Sequence, residues 1–318
     1  MVAERVPLPH IRPRVFVTRR LPAPVEARMA TLFETTFNPG DSPPPADALV
    51  AGLDGKDVLV SSITDRIDAA YRAGLTVTNT PSVLTEDTAD MATMLMLAVP
   101  RRLVEGAQVL PRDGTWPGWS PTWMLGRRLR GKALGIVGMG RIGTAVATRA
   151  RAFGLNIHYF SRHRRPAAIE EALEATYWPA LEQMLPEVDI ISLHTPHTRD
   201  TYHILDKARL ARMRQDAFVV NVSRSELIDE EALVEGIESG HLSGAALDVF
   251  ENRSGINPRL LELARAHKVV LTAHMASATL ESRIEMGEAV IVNIRAFIDG
   301  HQPPHRVLPE ERAKLARG

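Results

Sequence analysis

Cysteine is absent from the 318 residues. That excludes disulfides, thiolate zinc sites, iron–sulfur clusters and a cysteine nucleophile. Net charge is absent too, since 38 Lys and Arg balance 38 Asp and Glu. No basic field for nucleic acid or for an anionic membrane therefore organises the chain. Long apolar runs are also missing. The most apolar stretch, Met91 to Val99, is too short to span a bilayer. The N-terminal MVAERVPLPHIRPRVFV is polar and proline-broken, without the apolar core of a signal peptide. Nor is there an internal repeat or a low-complexity tract. The expectation is a cytoplasmic protein with no nucleic-acid and no membrane partner. What is present is ordinary globular material, 45% hydrophobic and 24% charged, ample for packed cores. At ~100–200 residues per domain the length predicts two domains.

In the first part, RVFVT (14–18), DVLVSS (57–62) and LTVTNTP (75–81) read as strands. Val25, Met29, Leu32 and Phe33 have helical spacing, predicting a helix from Pro24 to Phe37, and PPPADALVAG (43–52) restarts a helix after a proline stop. This alternation implies an α/β layer of parallel strands. Thr85, with Glu86 and Asp87 in the first turn, opens a long apolar helix that Pro100 bends or divides. The stretch RDGTWPGWSPTWMLGRRLRG (112–131) then carries three of the four tryptophans. It reads either as a surface loop over a small core or as an arm that buries its indoles against a partner subunit. From Lys132 a second α/β unit begins, with strands at KALGIVG, NIHYFS (156–161), VDIISLH (188–194), AFVVNVS (217–223), GAALDVF (244–250) and KVVLTAH (268–274). Helices fall at Leu181–Leu185, Lys207–Met213 and Asp229–Ser239. The last stretch, Glu281 to Asp299, is one amphipathic helix placed to return to the first domain. The expected division is 1–86 with 280–318 around 87–279, the second being a doubly wound parallel sheet of Rossmann type.

The most informative motif is Gly138-Met139-Gly140-Arg141-Ile142-Gly143, which follows an apolar strand and opens a helix. The first glycine permits the tight turn, the second lets backbone approach a pyrophosphate, and the third lets helix pack close to strand. The helix start then offers free amide donors to phosphate. At the end of the next strand, an acid about 20 positions on would bind the 2′-hydroxyl of NAD. Here the residues are Ser161-Arg162-His163-Arg164-Arg165. An arginine pairs with a 2′-phosphate, so NADP(H) is the expected cofactor, with NAD(H) the alternative. The bland reading is a solvated basic loop. Arg224, Asp248 and His274 stand at three further strand ends. Arginine suits a carboxylate and a neighbouring carbonyl, and histidine can carry the proton that accompanies hydride transfer. Together they favour a dehydrogenase. His194, also at a strand end, reads as structural.

These stretches resemble the D-isomer-specific 2-hydroxyacid dehydrogenase family, and its glyoxylate/hydroxypyruvate reductase branch in particular. The resemblance lies in TVTNTPSVLTEDTADM, LRGKALGIVGMGRIG, ISLHTPHT, VVNVSRSELIDEEALVEGIESGHLSGAALDVFE and VVLTAHMASATLESR, running from Leu75 to Asp299. It implies a Rossmann-type dinucleotide domain with a smaller, discontinuous, flavodoxin-like substrate domain. It also implies an oxidoreductase acting on a small 2-oxo or 2-hydroxy acid. Arg224 would bind substrate carboxylate and carbonyl, and His274 would donate the proton. The cofactor would meet Gly138, Gly140, Arg141, Ile142, Gly143, Ser161, Arg162, His163, Val222, Ser223 and Asp248, the last on the nicotinamide side. The tryptophan-rich arm would belong to a homodimer interface. No metal is implied.

Several positions depart from the family pattern. Arg253 stands where the family has the glutamate that orients its histidine, leaving Glu251 as the nearest substitute. Between SSITDRIDAA and YRAGLTVTNTP a helix and a strand with a glycine-containing loop are missing, so that Ala69-Ala70 runs directly to Tyr71. Ser225, Ala273 and Ala276 replace glycine, proline and glycine. Two readings follow: an NADPH-dependent reductase of glyoxylate or hydroxypyruvate with impaired turnover, or a non-catalytic dinucleotide-binding homologue with a degraded substrate site.

Overall fold

The structure, a computed structural model, describes residues 12–65, 75–251 and 255–307. The chain divides into two compact units, Met1–Leu84 with Ala278–Ala316, and Thr85–Ser277 with the last two residues. Arg253 and the junction at Ala69-Ala70-Tyr71 lie outside the described residues.

In the first unit, β1 (Arg14–Val17) is flanked by β2 (Glu34–Phe37) and β3 (Val58–Val60) in a parallel sheet of order β2-β1-β3. Helices α1 (Ala23–Leu32) and α2 (Ala46–Leu53) make the crossovers. The helix expected from 24 to 37 is therefore too long. It stops before Phe33, which is extended and buried, and ETTF pairs along the whole of β1. Thr35 and Thr36 are β-branched and suit a pleated surface. The 3.6-residue apolar pattern runs past the helix end only because Phe33 and Phe37 also pack on this core.

The third expected strand, 75–81, is also corrected. Among the described residues it makes a single antiparallel bridge, Thr78 with Arg306, flanked by Asn79 N–H to His305 O (3.1 Å) and Val307 N–H to Val77 O (2.9 Å). Alternating β-branched residues favour extension, but a strand needs a ladder partner.

In the second unit, α3 (Thr85–Ala98) and α4 (Leu103–Asp113) are separated at Pro100. Seven strands follow: β4 (Ala133–Val137), β5 (Asn156–Phe160), β6 (Thr176–Trp178), β7 (Ile190–Leu193), β8 (Ala217–Asn221), β9 (Leu242–Leu247) and β10 (Val269–Leu271). All are parallel, in the order β10-β9-β8-β7-β4-β5-β6. β4 and β8 are buried at every position, as a sheet covered on both faces requires. The covering helices include α5 (Arg141–Ala152), α6 (Ala167–Leu173), α7 (Leu181–Met184), α8 (Lys207–Arg212), α9 (Glu230–Glu238) and α10 (Pro258–Arg265). The doubly wound expectation holds. β6 (three residues), α6 (seven) and α10 (eight) are elements that the sequence reading did not mark.

The final helix, α11 (Leu280–Ile298), belongs to the first unit. It lies so close on α1 that a Cβ at Gly287 would come within 2.4 Å of Val25. Ile291 and Ile294 complete that unit's core with Val15, Val17, Val25, Met29 and Phe33.

Candidate active site at the carboxyl edge of the seven-stranded sheet

The sheet grows outward from β4, first to β5 and β6 on one side and then to β7 through β10 on the other. The reversal lies between β4 and β7, where ligands of open α/β sheets bind. The glycine motif occupies this point. Gly138 has φ +98, and a Cβ there would stand 2.7 Å from the carbonyl oxygen of His194, just beyond β7. A Cβ on Gly143 would fall 2.2 Å from the carbonyl oxygen of Gly138. Gly140 differs: its added Cβ would meet nothing within 4 Å. Two glycines are thus required by protein packing, while the middle one faces open space at the start of α5. The residues present fit the pyrophosphate of a dinucleotide, with Gly140, Arg141 and Ile142 as its cradle.

Ser161, Arg162 and His163 follow β5, with Arg162 and His163 exposed. The two arginines after them are not equivalent. Arg164 is bidentate on Glu170 (2.9 and 2.8 Å), whose other hydrogen-bond donor is the Tyr159 hydroxyl at 2.5 Å. Burial and this bond push the Tyr159 phenol up to about 12, and the Arg164 guanidinium with the Tyr159 hydroxyl holds the Glu170 carboxyl below its ordinary range. Arg162 has no ion pair among the described residues.

On the other side of the switch point, three strand ends are laced together. Asp248 N–H donates to Asn221 O (2.9 Å), and His274 N–H donates to Asp248 O (2.9 Å). Arg224 follows β8 and is exposed, its Nη1 donating to Ser223 O at 2.7 Å. Asn221 turns back to hold this loop, donating to Arg224 O (2.9 Å) and accepting from Ser223 N–H (3.0 Å). Ser223 Oγ ties it to the neighbouring strand end at Thr195 O (2.7 Å). Val222 lies 6% exposed in the apolar core. The expectation that it meets the cofactor is therefore narrowed to its backbone.

Asp248 also needs correction. Its side chain is 0% exposed. Oδ1 accepts from the Thr272 hydroxyl (2.6 Å) and Met275 N–H (2.9 Å), and Oδ2 from Ala276 N–H (2.8 Å). The carboxylate thus clamps the loop carrying His274 and does not present itself to the nicotinamide side. His274 sits exposed within that clamp at φ +53, a left-handed conformation rare for a non-glycine residue. Ser225 and Ala276 do not adopt positive φ, so the serine and alanine at these positions bring no backbone strain.

Glu251 faces elsewhere. Oε1 lies 2.5 Å from His203 Nε2, and Oε2 accepts the Glu230 N–H (3.4 Å) while Glu251 N–H returns to Glu230 Oε2 (3.1 Å). It fastens the end of β9 to α9 and does not substitute as the partner of His274. His194 is no rival proton donor. Its Nε2 pairs with Ser192 Oγ (2.8 Å), its Nδ1 is sealed without a partner, and burial pushes the imidazole down to about 4. It is neutral near pH 7.

Residues 93–276 match the family model for the D-isomer specific 2-hydroxyacid dehydrogenase NAD binding domain. The chain belongs to this 2-hydroxyacid dehydrogenase family. Over 93% of its length it is 39% identical to a glyoxylate reductase of Thermococcus litoralis, covering 97% of that protein. The glyoxylate reductase of Korarchaeum cryptofilum is 40% identical over 94% of the chain and 97% of its own length. Among solved structures, the fold is similar to the NADPH-dependent glyoxylate/hydroxypyruvate reductase of Sinorhizobium meliloti, determined with NADP and malonate. Its TM-score is 0.76 at 31% identity, with 94% of this chain and 98% of that one covered. This dehydrogenase is accordingly an oxidoreductase that moves a hydride between a nicotinamide dinucleotide and a 2-hydroxy or 2-oxo acid. No helix among the described residues is long and apolar enough to cross a membrane.

The residues singled out in the sequence, Gly138, Ser161, Arg224, Asp248 and His274, all follow strands of the seven-stranded sheet at its carboxyl edge. The sequence did not reveal the Asp248 clamp, whose partners lie 24 to 28 residues away, or the pairing of His203 with Glu251, 48 residues apart. No short-range spacing encodes either.

Proposed function

We propose that this dehydrogenase reduces a small 2-oxo acid, glyoxylate or hydroxypyruvate, with NADP(H) preferred over NAD(H). The observation that carries the reading is the order along one sheet edge. The His274 and Arg224 loops flank Asp248 on one side of the switch point, and the glycine cradle and Arg162 lie on the other. The names of the glyoxylate reductase relatives support the substrate class. The part built around 85–277 is the dinucleotide domain, and the discontinuous part is the substrate domain.

Gly138, Gly140, Arg141, Ile142 and Gly143 hold the pyrophosphate, and Ser161, Arg162 and His163 the adenosine end. The reduced dinucleotide, when bound, supplies the hydride. Arg224 binds the substrate carboxylate and polarises the adjacent carbonyl, since its guanidinium is free of any carboxylate among the described residues. His274 delivers a proton to the carbonyl oxygen. Arg253, at the sequence position of the family's orienting glutamate, makes turnover slow. A carboxylate beside an imidazole favours its protonated form and a guanidinium disfavours it. The exposed tryptophans support a homodimer, and the chain works in the cytoplasm.

The test is NADPH oxidation with glyoxylate and with hydroxypyruvate, run beside NADPH binding alone. Slow, saturable oxidation is the expected result. Binding without oxidation by either acid would instead select a non-catalytic dinucleotide-binding homologue. For the cofactor, one arginine on a 2′-phosphate should favour NADPH over NADH by ~1.5–3 kcal/mol. Arg162→Ala should erase most of that preference, and tighter binding of NADH by the unmutated protein would end the assignment.

A further inference from the structure

The loop that carries Arg224 is anchored on both sides of that residue. Upstream, Asn221 and Ser223 hold it to β8 and to Thr195. Downstream, a segment of the loop after β7 runs beside it. His203 N–H donates to Glu226 O (2.8 Å), Leu205 N–H to Leu227 O (3.0 Å), and Asp229 N–H to Leu205 O (3.1 Å). Leu205 and Ile228 form a parallel bridge between the two.

The downstream anchor begins at an unusual residue. His203 has φ +44, in the left-handed region that non-glycine residues enter rarely. Such a conformation persists only where the surroundings over-determine it, and here they act through the side chain. Tyr202 stacks on the imidazole, with centroids 4.0 Å apart and planes at 14°, which sets the ring plane. His203 Nε2 lies 2.5 Å from Glu251 Oε1. A carboxylate only accepts, so Nε2 carries the hydrogen. Glu251 is in turn fixed, because its Oε2 accepts from Glu230 N–H (3.4 Å) and its own N–H donates to Glu230 Oε2 (3.1 Å). The imidazole of His203 thus joins the loops after β7, β8 and β9. Asp248, on the third of these, has separate restraints in Thr272, Met275 and Ala276. Loosening His203 therefore falls on the Arg224 loop and not on the loop of His274.

We propose that His203 is a positioning residue for the substrate carboxylate. Its side chain, held by Tyr202 and Glu251, fixes the backbone that aims Arg224. The inference rests on the reading of Arg224 as the anchor of that carboxylate.

The test uses oxamate, which has a carboxylate beside a carbonyl but accepts no hydride. It is titrated by calorimetry into the full-length protein saturated with NADPH, for wild type, Arg224→Ala, His203→Asn and His203→Gln. Glyoxylate reduction is measured on the same four proteins, and melting curves confirm that each is folded. Asparagine accepts the left-handed backbone but ends short of the Nε2 position, whereas glutamine returns an N–H donor to it. His203→Asn should weaken oxamate and raise the glyoxylate KM about 5- to 20-fold, while kcat stays within about 3-fold and NADPH affinity is unchanged. His203→Gln should restore both to within about 3-fold of wild type. Unchanged oxamate affinity in His203→Asn, equal losses in the two His203 variants, or a fall in kcat alone overturns the positioning role. Wild type that does not bind oxamate, or Arg224→Ala that binds it as wild type does, ends the reading of Arg224 and this inference with it. Loss of oxamate in Arg224→Ala without loss in His203→Asn ends the positioning role alone.

Discussion

Three glycines in one six-residue motif perform different physical tasks, and substitution separates them. Gly143→Ala forces a Cβ to 2.2 Å from a backbone oxygen, which cannot swing away as a side chain would. Gly140→Ala adds a methyl to empty space at φ −78, a conformation alanine accepts. Gly143→Ala should lower stability by about 2–4 kcal/mol, in the range of backbone strain and overpacking. Gly140→Ala should leave the melting temperature within about 2 °C, a change of ~0.5 kcal/mol or less, yet weaken dinucleotide binding about 10-fold or more. Melting curves and fluorescence titration with NADPH read the two effects separately. A stable Gly143→Ala, or a Gly140→Ala that binds normally, would contradict the division.

His194 gives a residue-scale dependence on pH. Its imidazole is pushed by burial from 6.5 to about 4. Between those values the unfolded chain binds a proton that the folded chain refuses, so stability rises with pH across that window and is lost as pH falls from 6.5 toward 4. The effect is about 3 kcal/mol at full development. Replacing the imidazole in His194→Asn should flatten this part of the acid limb in calorimetric melts. Parallel curves for the two proteins from pH 7 to pH 4 would refute the assignment.

At the scale of elements, the loop after β10 depends on a carboxylate at the end of β9. Asp248 takes up three donors from residues 272–276 and accepts the His274 amide on its main chain. A left-handed histidine costs about 1–3 kcal/mol, so this conformation persists only while the loop is held. Asp248→Asn places an amide NH₂ where a backbone N–H must be accepted. We expect a loss of about 2–4 kcal/mol in stability and a kcat reduced about 10- to 100-fold. KM for the dinucleotide should change less than kcat, because the glycine cradle lies beyond β7 and β8. Steady-state kinetics with varied NADPH checks this. An unchanged kcat would show that the loop holds its own shape.

At the scale of the whole molecule, the segment after α4 stands out. Trp119 is 82% exposed, Trp116 48% and Trp123 38%, with Leu110 and Leu125 also open. Trp116 and Trp123 meet as a tilted pair with ring centroids 5.7 Å apart and planes at 46°, which shields each only in part. Exposed apolar patches of this kind mark interaction surfaces, and a two-fold homodimer is the commonest solution. Light scattering at micromolar concentration should give about twice the 35.0 kDa chain mass. Trp119→Ser should shift the mass toward monomer, and a monomeric wild type would count against the arm as an interface.

The amino-acid sequence by itself determined the local and repetitive features of this protein. Apolar runs bounded by turn residues mark β4, β7, β8 and β9, because strands buried on both faces are predominantly apolar, while NIHYF marks β5 by alternation. The glycine motif marks the switch point, because only glycine tolerates φ +98 at Gly138 and a 2.2 Å approach at Gly143. Only the tertiary structure decided which segments pair and which side chains are spent. ETTF became a strand because β1 offered it an edge, while among the described residues TVTNTP makes a single bridge, Thr78 with Arg306. Arg164 was consumed by Glu170 and Arg162 was not, though both sit in one basic run. Asp248 became a buried clamp, and Glu251 turned to His203. Propensity and periodicity act over a few residues, whereas hydrogen bonds and ion pairs between distant strand ends depend on the folded sheet that brings them within 3 Å.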